Sequence, residues 1–420
     1  MVEASIAMPP SKSESARALI INALTPEGGQ IDNLADCDDT KALQGALGCR
    51  EGRVDIGAAG TAMRFLTAFY ASQPGVDVVL DGSERMRERP IGILVDALRQ
   101  CGADISYEGE EGFPPLHIRG KALRGCTLTM DATVSSQYVS AMMMIAPAME
   151  GSLRIELDGH PASAPYITLT AAMMRRAGVD VELLPYAVTV EEGCYAPCGF
   201  RIGGDWSAAS YWFEIEALTC GCISLQGLDE KSMQGDSSVV ELFRSFGIEA
   251  RDSEDEPSTL DLLPGPDNTP RLIHDFSATP DLVQTAAVTA AMLGIPFRFS
   301  GVGSLRIKET DRLGALRAEL LKVGVRLADD DPDVLEWDGR RLPLTELPVF
   351  DTYSDHRMAM ALAPVAVFIP GIVVRDVEVV DKSYPRFFDD LRGAGFLTVD
   401  PSVPAEEVQR MLDEMNEEEE

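Results

Sequence analysis

Positive charge is scarce in this chain of 420 residues. Its 36 Lys and Arg residues stand against 68 Asp and Glu residues, and the formal net charge is −32. Such an excess of negative charge repels both nucleic acid and anionic membrane surfaces, so we expect neither as a partner. If the ligand is itself an anion, the cations that bind it must be concentrated in one place.

Export signals and long apolar runs are also missing. The N-terminal stretch has no basic region followed by a long apolar segment, so we predict neither a signal peptide nor a transit peptide. The longest uncharged run covers residues 358–374 and contains Pro364, Pro370 and Gly371. That composition is typical of a buried helix followed by a strand and argues against a membrane span.

Metal-binding cysteine patterns are absent as well. The eight cysteines form no CxxC pair, and no histidine stands at ligand spacing from them. We therefore expect free thiols in a reducing cytoplasm.

A repeated pattern runs through the chain: an apolar-periodic helix, a glycine that ends it, and a strand. The six glycines lie roughly 70 residues apart, and each suits the position after a helix where φ is positive. They are Gly48, Gly102, Gly178, Gly247, Gly324 and Gly395. Six copies predict a repeated α/β unit, with three units in each of two lobes.

Three other predicted helices are not amphipathic. Residues 138–149, 281–293 and 358–368 carry Ala, Met, Val and Leu on nearly every face. A helix that is apolar all round is buried on all sides. We therefore predict an α/β fold in which helices pack together inside each lobe and the sheets lie outside them.

The most charged segment stands just before a predicted helix. Residues 304–312 hold three cations and two carboxylates, and an apolar helical period follows as far as Gly324. The charged residues are Arg306, Lys308, Glu309, Asp311 and Arg312. A helix N-terminus attracts anions through its unpaired backbone N–H groups and its dipole. The segment therefore predicts an anion-binding and proton-transfer site.

Polar or cationic residues also recur at the predicted helix starts of nearly every repeat. They are Lys12, Ser13, Arg17, Gly60, Arg85, Arg87, Arg89, Ser135, Ser136, Gln137, Ser163, Tyr166, Asp281, His356, Arg357 and Lys382. Each alone has an ordinary alternative interpretation as a helix cap, a tight turn or a solvated charge. If the repeats point these ends toward one cleft, they predict a dense positive site for phosphate and carboxylate groups, with Glu309 and Lys12 as proton carriers.

Together these motifs closely resemble those of the EPSP synthase family, the 3-phosphoshikimate 1-carboxyvinyltransferases. The KETDR block at residues 308–312 combined with DHRMAM at residues 355–360 is highly specific, and the resemblance covers about residues 9–388. It implies two lobes of three βαβαββ units each, which close on substrate around a cleft. The expected boundaries are 10–203 for the first lobe, and 1–9 together with 204–420 for the second.

The resemblance also implies an activity. Members of the family transfer the carboxyvinyl group of phosphoenolpyruvate to the 5-hydroxyl of shikimate 3-phosphate, through a tetrahedral intermediate that loses phosphate. They require no metal, and we expect no other cofactor. The expected partners are these two small molecules, and we expect a cytoplasmic monomer.

The family's functional residues can be carried over by motif. Those that would bind shikimate 3-phosphate are Ser13 and Arg17 at its carboxylate, and Ser135, Ser136, Ser163, Tyr166 and Lys308 at or near its phosphate. Those that would bind phosphoenolpyruvate are Arg312 and Arg357 at its carboxylate, and Lys12, Gly60, Arg89, Gln137 and Lys382 at its phosphate. Asp281 would accept the proton of the attacking hydroxyl. Glu309 would exchange a proton with the methylene carbon, and Lys12 would share the acid role.

The sequence departs from the family pattern in three places. Ala58 and Ser304 occupy positions where Asn is usual, so each loses an amide beside the expected substrate contacts. The segment before Lys12 is shorter than usual, so a strand of the second lobe is expected to be short or missing. No charged catalytic candidate is lost, and we still expect activity.

Two alternatives stay open from the sequence. The UDP-N-acetylglucosamine 1-carboxyvinyltransferases share the implied fold, but they carry a loop with a reactive Cys where this chain has residues 85–90. Here Cys101 lies on the later helix instead. The second alternative is a non-catalytic ligand-binding relative, which Ala58 and Ser304 keep open.

Overall fold

The structure is a computed structural model. It describes residues 2–229, 232–266, 269–400, 402, 403, 406–408, 410 and 411. The acidic run at residues 417–420 lies outside the described residues.

Helices and strands alternate along most of the chain. The helices are α1 (Lys12–Leu24), α2 (Asp38–Ala46), α3 (Gly60–Ala71), α4 (Glu84–Arg87), α5 (Gly92–Gln100), α6 (Ser136–Ile145), α7 (Ala164–Arg176), α8 (Trp206–Thr219), α9 (Val239–Arg244), α10 (Val283–Leu293), α11 (Arg312–Lys322), α12 (His356–Leu362) and α13 (Phe387–Gly393). Short 3₁₀ segments span Ala146–Ala148, Gly235–Ser238, Pro280–Leu282, Gly303–Ile307, Ala363–Val367 and Val377–Lys382. The strands are β1 (Glu3–Ala7), β2 (Ile31–Asp32), β3 (Glu51–Asp55), β4 (Asp77–Asp81), β5 (Asp104–Tyr107), β6 (Leu116–Arg119), β7 (Thr127–Asp131), β8 (Leu153–Asp158), β9 (Val181–Leu184), β10 (Ala187–Val190), β11 (Phe200–Arg201), β12 (Cys222–Gln226), β13 (Ile248–Asp252), β14 (Thr259–Pro264), β15 (Leu272–Asp275), β16 (Phe297–Ser300), β17 (Val334–Trp337), β18 (Val349–Phe350) and β19 (Val373–Val374).

Within the described residues the strands form six sheets, and three of these have four strands. Their orders are β3-β4-β6-β5, β7-β8-β10-β9 and β1-β12-β14-β13. In each, the first pair is parallel and the others are antiparallel. A parallel pair needs a crossover, which α3 and α6 supply in the first two sheets. The remaining sheets of the described chain are shorter: β15-β16-β17, β2-β11 and β18-β19.

The N-terminal strand is present despite the short leading segment. β1 pairs in parallel with β12 over its whole length, from Glu3 opposite Cys222 to Ala7 opposite Gln226. The expectation of a missing strand here is therefore wrong, because the residues that precede Lys12 are enough to span one edge of the sheet.

Two separate hydrophobic cores lie inside these sheets. One is built from residues between Ala16 and Ile202, and the other from Ile6, Met8 and residues between Trp206 and Ala394. The helices predicted to be buried are indeed inside, since every residue of α12 and all of α10 up to Met292 are buried. With the support of these two cores, we propose residues 10–203 as the first lobe and residues 1–9 with 204–420 as the second.

The repeat glycines mostly behave as predicted. Five of the six have positive φ, from 77° at Gly247 to 96° at Gly102. The prediction is wrong for Gly48. Leu47, which follows the end of α2 at Ala46, has right-handed angles, φ −57° and ψ −28°, so the chain leaves this helix through a turn that needs no left-handed residue.

The charge imbalance should make stability depend on salt. With a net charge of −32, the folded chain repels itself, and salt screens that repulsion. Raising KCl from about 0.1 M to about 1 M shortens the screening length from roughly 10 Å to roughly 3 Å. We expect the melting temperature to rise over this range, and differential scanning calorimetry would measure it. An uncharged osmolyte at equal osmolality is the control, and a melting temperature that falls with KCl would contradict the argument.

Candidate active site

A single pocket gathers the predicted residues from both lobes. Its volume is about 780 Å³, counting the open space at its mouth. The predicted residues that line it are Lys12, Ser13, Arg17, Gly60, Arg89, Ser135, Ser136, Gln137, Ser163, Tyr166, Asp281, Lys308, Glu309, Arg312 and Arg357. Lys382 is not part of this lining, but its Nζ lies 3.9 Å from Glu309 Oε1 and so reaches the same cluster.

Helix starts deliver many of these side chains, as the sequence predicts. Ser11 caps α1 by accepting from the Glu14 backbone N–H, which puts Lys12 in the first turn. Ser135 caps α6 in the same way, accepting from the Gln137 N–H. Ser163 precedes α7 in a left-handed conformation, and its N–H donates to the carbonyl of Ser277 in the second lobe at 2.8 Å. Capping and site assembly therefore depend on the same local structure.

Arg312 is the hub of the charged network. Its guanidinium donates to Asp355 Oδ2 at 2.6 Å, to Glu309 Oε2 at 2.8 Å and to Asp281 Oδ1 at 2.9 Å. Its side chain is only 2% exposed, so these bonds operate away from water. Arg357 donates to the other oxygen of Asp281 at 2.9 Å. Two carboxylates proposed for proton transfer are thus held by two arginines.

Asp281 and Glu309, the two carboxylates proposed for proton transfer, are both ionised in the structure. Burial would raise the pKa of Asp281, but Arg357, Lys308 and Arg312 outweigh burial and hold that pKa well below its usual range. Burial would likewise raise the pKa of Glu309, and Arg312, Arg89 and Lys382 hold it well below its usual range. Glu309 Oε1 lies 3.7 Å from Arg89 Nη1, which belongs to the first lobe. The ionisation of Glu309 therefore depends on both lobes.

The sequence analysis missed Asp39, which faces two lysines of the site. Asp39 lines the pocket, with Oδ2 3.0 Å from Lys12 Nζ and Oδ1 3.3 Å from Lys382 Nζ. Burial would lower the pKa of Lys12, but Asp39, with smaller contributions from Cys37 and Glu309, raises it overall. Lys308 differs, since burial lowers its pKa despite the nearby Asp281. The signal for Asp39 in the sequence is the adjacent pair Asp38 and Asp39 at the start of α2, and such a pair resembles an ordinary helix cap.

Arg17 lies beneath the serine-rich side of the pocket. It is 2% exposed and donates to Thr170 Oγ1 at 2.7 Å and to the carbonyl of Ser13 at 2.9 Å. Burial lowers the pKa of this guanidinium to about 10, so it stays charged at neutral pH. Its guanidinium also lies 5.5 Å from the centre of the Tyr166 ring. These contacts fix a cation beside the hydroxyls at the starts of α6 and α7.

Asp236 is another buried carboxylate, and it contacts Tyr166 from the second lobe. The hydroxyl of Tyr166 donates to Asp236 Oδ2 at 3.5 Å, and Ser207 Oγ donates to the same oxygen. Burial, followed by the charge of Asp281, raises the pKa of Asp236 to about 6. Tyr166 belongs to the first lobe and Asp236 to the second, so this contact also joins the two.

His356 lines the pocket in its neutral form. It is 1% exposed, and neither ring nitrogen has a hydrogen-bond partner among the described residues. Burial, followed by the charges of Lys12 and Arg357, lowers its pKa well below its usual range. Of the adjacent pair that the sequence analysis singled out, Arg357 carries the positive charge and His356 does not.

Of the three arginines before α5, Arg89 is the one in the pocket. A Cβ on Gly60 would lie 2.5 Å from Arg89 Nη1, so any other residue there would shift this guanidinium from its observed position. Arg87 instead pairs with Asp81 on the outer side. Arg85 donates to the carbonyls of residues 306 and 308 across the cleft, at 3.4 and 3.3 Å.

Ala58 and Ser304, which depart from the family motif, lie at or beside the pocket. Lys382 Nζ donates to the backbone carbonyl of Ala58, which any residue at that position would offer. Ser304 lines the pocket beside Lys308. Asp311 caps α11 by accepting from the Gly314 N–H at 3.1 Å, so its role is structural.

The surroundings of the pocket fit small, multiply charged anions. Seven cations surround it, contributed by both lobes: Lys12, Arg17, Arg89, Lys308, Arg312, Arg357 and Lys382. Within the described residues, no cluster of His, Cys, Asp and Glu could hold a metal ion, and no helix is long and apolar enough to cross a membrane. All eight cysteines, which the structure describes, are free thiols.

Comparison with solved structures defines the class of fold. An EPSP synthase from Acinetobacter baumannii matches with a TM-score of 0.73 at 20% identity, over 94% of this chain and 96% of that one. The enolpyruvyl transferase NikO from Streptomyces tendae matches with a TM-score of 0.70 at 16% identity, over 94% and 95%. The fold is that of the two-lobed enolpyruvyl transferases.

Sequence comparison then gives the family. The model of the EPSP synthase (3-phosphoshikimate 1-carboxyvinyltransferase) family matches residues 44–391. A 3-phosphoshikimate 1-carboxyvinyltransferase from Bacteroides fragilis is 46% identical over 397 residues, 94% of this chain and 96% of that protein. One from Methanoculleus marisnigri is 35% identical over 429 aligned positions, 94% and 98% of the two chains. The chain belongs to the EPSP synthase family.

Removing the hub of the network should destabilise the fold. Arg312→Met leaves Asp281, Glu309 and Asp355 near one another without their shared partner. We expect a loss of about 3–5 kcal/mol in the free energy of unfolding, as for other broken buried ion pairs. The loss should shrink as pH falls, because the unpaired carboxylates then take up protons. Urea unfolding at neutral and mildly acidic pH would measure both.

A matched control is available in the same segment. Arg306 is about one-third exposed and pairs with Asp311, so Arg306→Met should cost far less. Equal losses for the two variants would contradict the special role of Arg312.

Proposed function

We propose that the protein transfers the carboxyvinyl group of phosphoenolpyruvate to the 5-hydroxyl of shikimate 3-phosphate, which yields 5-enolpyruvylshikimate 3-phosphate and phosphate. The chain belongs to the family whose members carry out this step of aromatic amino acid biosynthesis. The observation that carries the proposal is the pocket in which Asp281 and Glu309 lie among cations from both lobes.

Shikimate 3-phosphate would occupy the side of the pocket formed by α1, α6 and α7. We propose that Ser13 and Arg17 bind its carboxylate, with Lys308 near its phosphate. The hydroxyls that would bind the phosphate are those of Ser135, Ser136, Ser163 and Tyr166. The arrangement of Arg17 supports this placement, because its guanidinium donates to the backbone carbonyls of Ser13 and Tyr166.

Phosphoenolpyruvate would lie between the lobes. We propose that Arg312 and Arg357 bind its carboxylate. The groups that would bind its phosphate are Lys12, Arg89, Gln137, Lys382 and the backbone of Gly60. The close approach of Arg89 to Gly60 supports this grouping, as does the reach of Lys382 across the cleft to Ala58.

Proton transfer would follow from a change in charge balance. The cations around Glu309 hold its pKa well below the usual range. When phosphoenolpyruvate binds Arg312, Arg89 and Lys382, its negative charge offsets theirs, and the pKa of Glu309 rises. Glu309 can then hold a proton, and Lys12 is a second donor.

The reaction would proceed by addition and then elimination. The 5-hydroxyl oxygen attacks C2 of phosphoenolpyruvate while Asp281 accepts the hydroxyl proton, and Glu309 gives a proton to the methylene carbon. The tetrahedral adduct then loses phosphate, and Glu309 takes a proton back from the methyl group. The proton that Asp281 took from the hydroxyl passes to the departing phosphate, which leaves as hydrogen phosphate, so both carboxylates return to their starting states.

Two rival assignments find less support. A UDP-N-acetylglucosamine carboxyvinyltransferase would need a reactive cysteine in the Arg85–Pro90 segment, whereas Cys101 is buried at the end of α5. A non-catalytic relative would rest on Ala58 and Ser304. The contact of Lys382 with residue 58 is made through the backbone, so that substitution leaves it intact.

We also propose that the protein acts as a cytoplasmic monomer without a metal or other cofactor. The free thiols support a reducing compartment.

Release of inorganic phosphate tests the assignment directly. Purified protein with phosphoenolpyruvate and shikimate 3-phosphate should release phosphate, and a coupled colorimetric assay would follow it. UDP-N-acetylglucosamine should not replace shikimate 3-phosphate. Release only with the nucleotide sugar would overturn the assignment, and tight binding without turnover would favour the non-catalytic alternative.

Glu309→Gln tests the proton carrier. The amide keeps the size of the side chain but holds no exchangeable acid proton, so turnover should fall by roughly 100-fold or more. Calorimetry should still detect binding of shikimate 3-phosphate. Glu111→Gln, an exposed change outside the pocket, is the control and should retain full turnover. Near-normal turnover in Glu309→Gln would remove Glu309 from the mechanism.

A further inference from the structure

Asp39 is an acid in a part of the pocket where only cations are expected. It lies in the first turn of α2 and is 7% exposed. One oxygen lies 3.0 Å from Lys12 Nζ and the other 3.3 Å from Lys382 Nζ. The two ammonium groups come from different lobes, at the start of α1 and the end of the Val377–Lys382 segment. One carboxylate therefore bridges two lysines across the cleft.

The same lysines are those assigned above to the phosphate of phosphoenolpyruvate, so this inference rests on the proposed function. An ammonium group has three donors and can contact a carboxylate and a phosphate together. Asp39 would then stand close to a phosphate dianion, and like charges at this range repel. Asp39 cannot improve phosphate binding through its charge, which calls for another role.

In the structure, Asp39 pairs with both lysines. Both lysine side chains are largely buried, with 15% exposure for Lys12 and 9% for Lys382. A buried ammonium group without an anionic partner is costly. Without Asp39, departure of phosphate would leave two such groups poorly paired, and that cost would hold the phosphate in place. With Asp39 present, the carboxylate replaces the departing phosphate as the anionic partner of the two lysines.

We propose that Asp39 promotes release of product phosphate by competing for Lys12 and Lys382. After the carbon–oxygen bond of the tetrahedral adduct breaks, inorganic phosphate stays bound to the cations that held it in the substrate. Asp39 draws the two lysines back as the phosphate leaves. It acts through these lysines and is a positioning residue, since it need not touch the reacting carbon atoms.

A purely structural role makes the opposite prediction. If Asp39 only fixed the lysines for phosphate binding, its removal would loosen them and weaken the affinity for phosphate. If it competes with phosphate, removing its charge strengthens that affinity. The sign of the change therefore separates the two roles.

The test measures binding of inorganic phosphate to the full chain by calorimetry. The protein is first saturated with shikimate 3-phosphate, so that added phosphate enters only the neighbouring subsite. We expect Asp39→Asn to bind phosphate about tenfold more tightly than the wild type, since a like charge is removed at short range. Asp38→Asn changes the adjacent exposed carboxylate and should leave the affinity within about twofold.

Rapid-quench kinetics give a second readout. In Asp39→Asn, the first turnover should form enolpyruvyl product as a burst, and later turnovers should be slowed by phosphate release. Asp39→Glu, which restores the charge, should return phosphate affinity toward the wild-type value. Asp39→Ser also removes the charge and serves if the Asn variant does not fold.

The outcomes are separable. Phosphate affinity that is unchanged or weaker in the charge-removing variants overturns the role of Asp39. Failure of the wild type to bind shikimate 3-phosphate, which is measured first, overturns the proposed function instead and this inference with it.

Discussion

Compensation of buried charge is the constraint on which this site depends. Arg312 has three carboxylate partners, and each of them would be costly to bury alone. The cations on the other side of Glu309 come partly from the first lobe, as Arg89 does. The network therefore spans the cleft and pairs the lobes by charge. Because anionic substrates would take over some of these cations, binding and proton transfer become two aspects of one electrostatic rearrangement.

The sequence predicted the positions of side chains correctly where local structure sets them. Residues such as Lys12, Ser135 and Arg357 stand at helix starts, and a start can be read from a cap and an apolar period. It failed where a role depends on distant partners. Asp39 looks like a second acid in a helix cap, and only the fold brings it between Lys12 and Lys382.

Much of the fold was predictable for the same reason, because its repeating units are marked by local turns. Two features of the fold were not predicted correctly. Repeating glycines indicated the number of units, since each helix-to-strand junction needs a similar turn. Gly48 broke the rule because α2 ends without a left-handed residue. The pairing of β1 with β12 was beyond prediction, because strands so distant in sequence leave no local signal of their register. Likewise, nothing in the sequence near Gly60 shows that Arg89 packs against it.

The connection between the lobes bears on how the chain is made. The backbone enters and leaves the first lobe through adjoining segments, where the Ser11 N–H donates to the Gly203 carbonyl and the Asp205 N–H to the Pro9 carbonyl, both at 2.8 Å. The first lobe is thus an insertion within the second. A ribosome finishes the inserted lobe, with its own core, before β12 has emerged. β1 is therefore synthesised before the strands of the first lobe and must wait, without its neighbour in the sheet, until β12 has emerged.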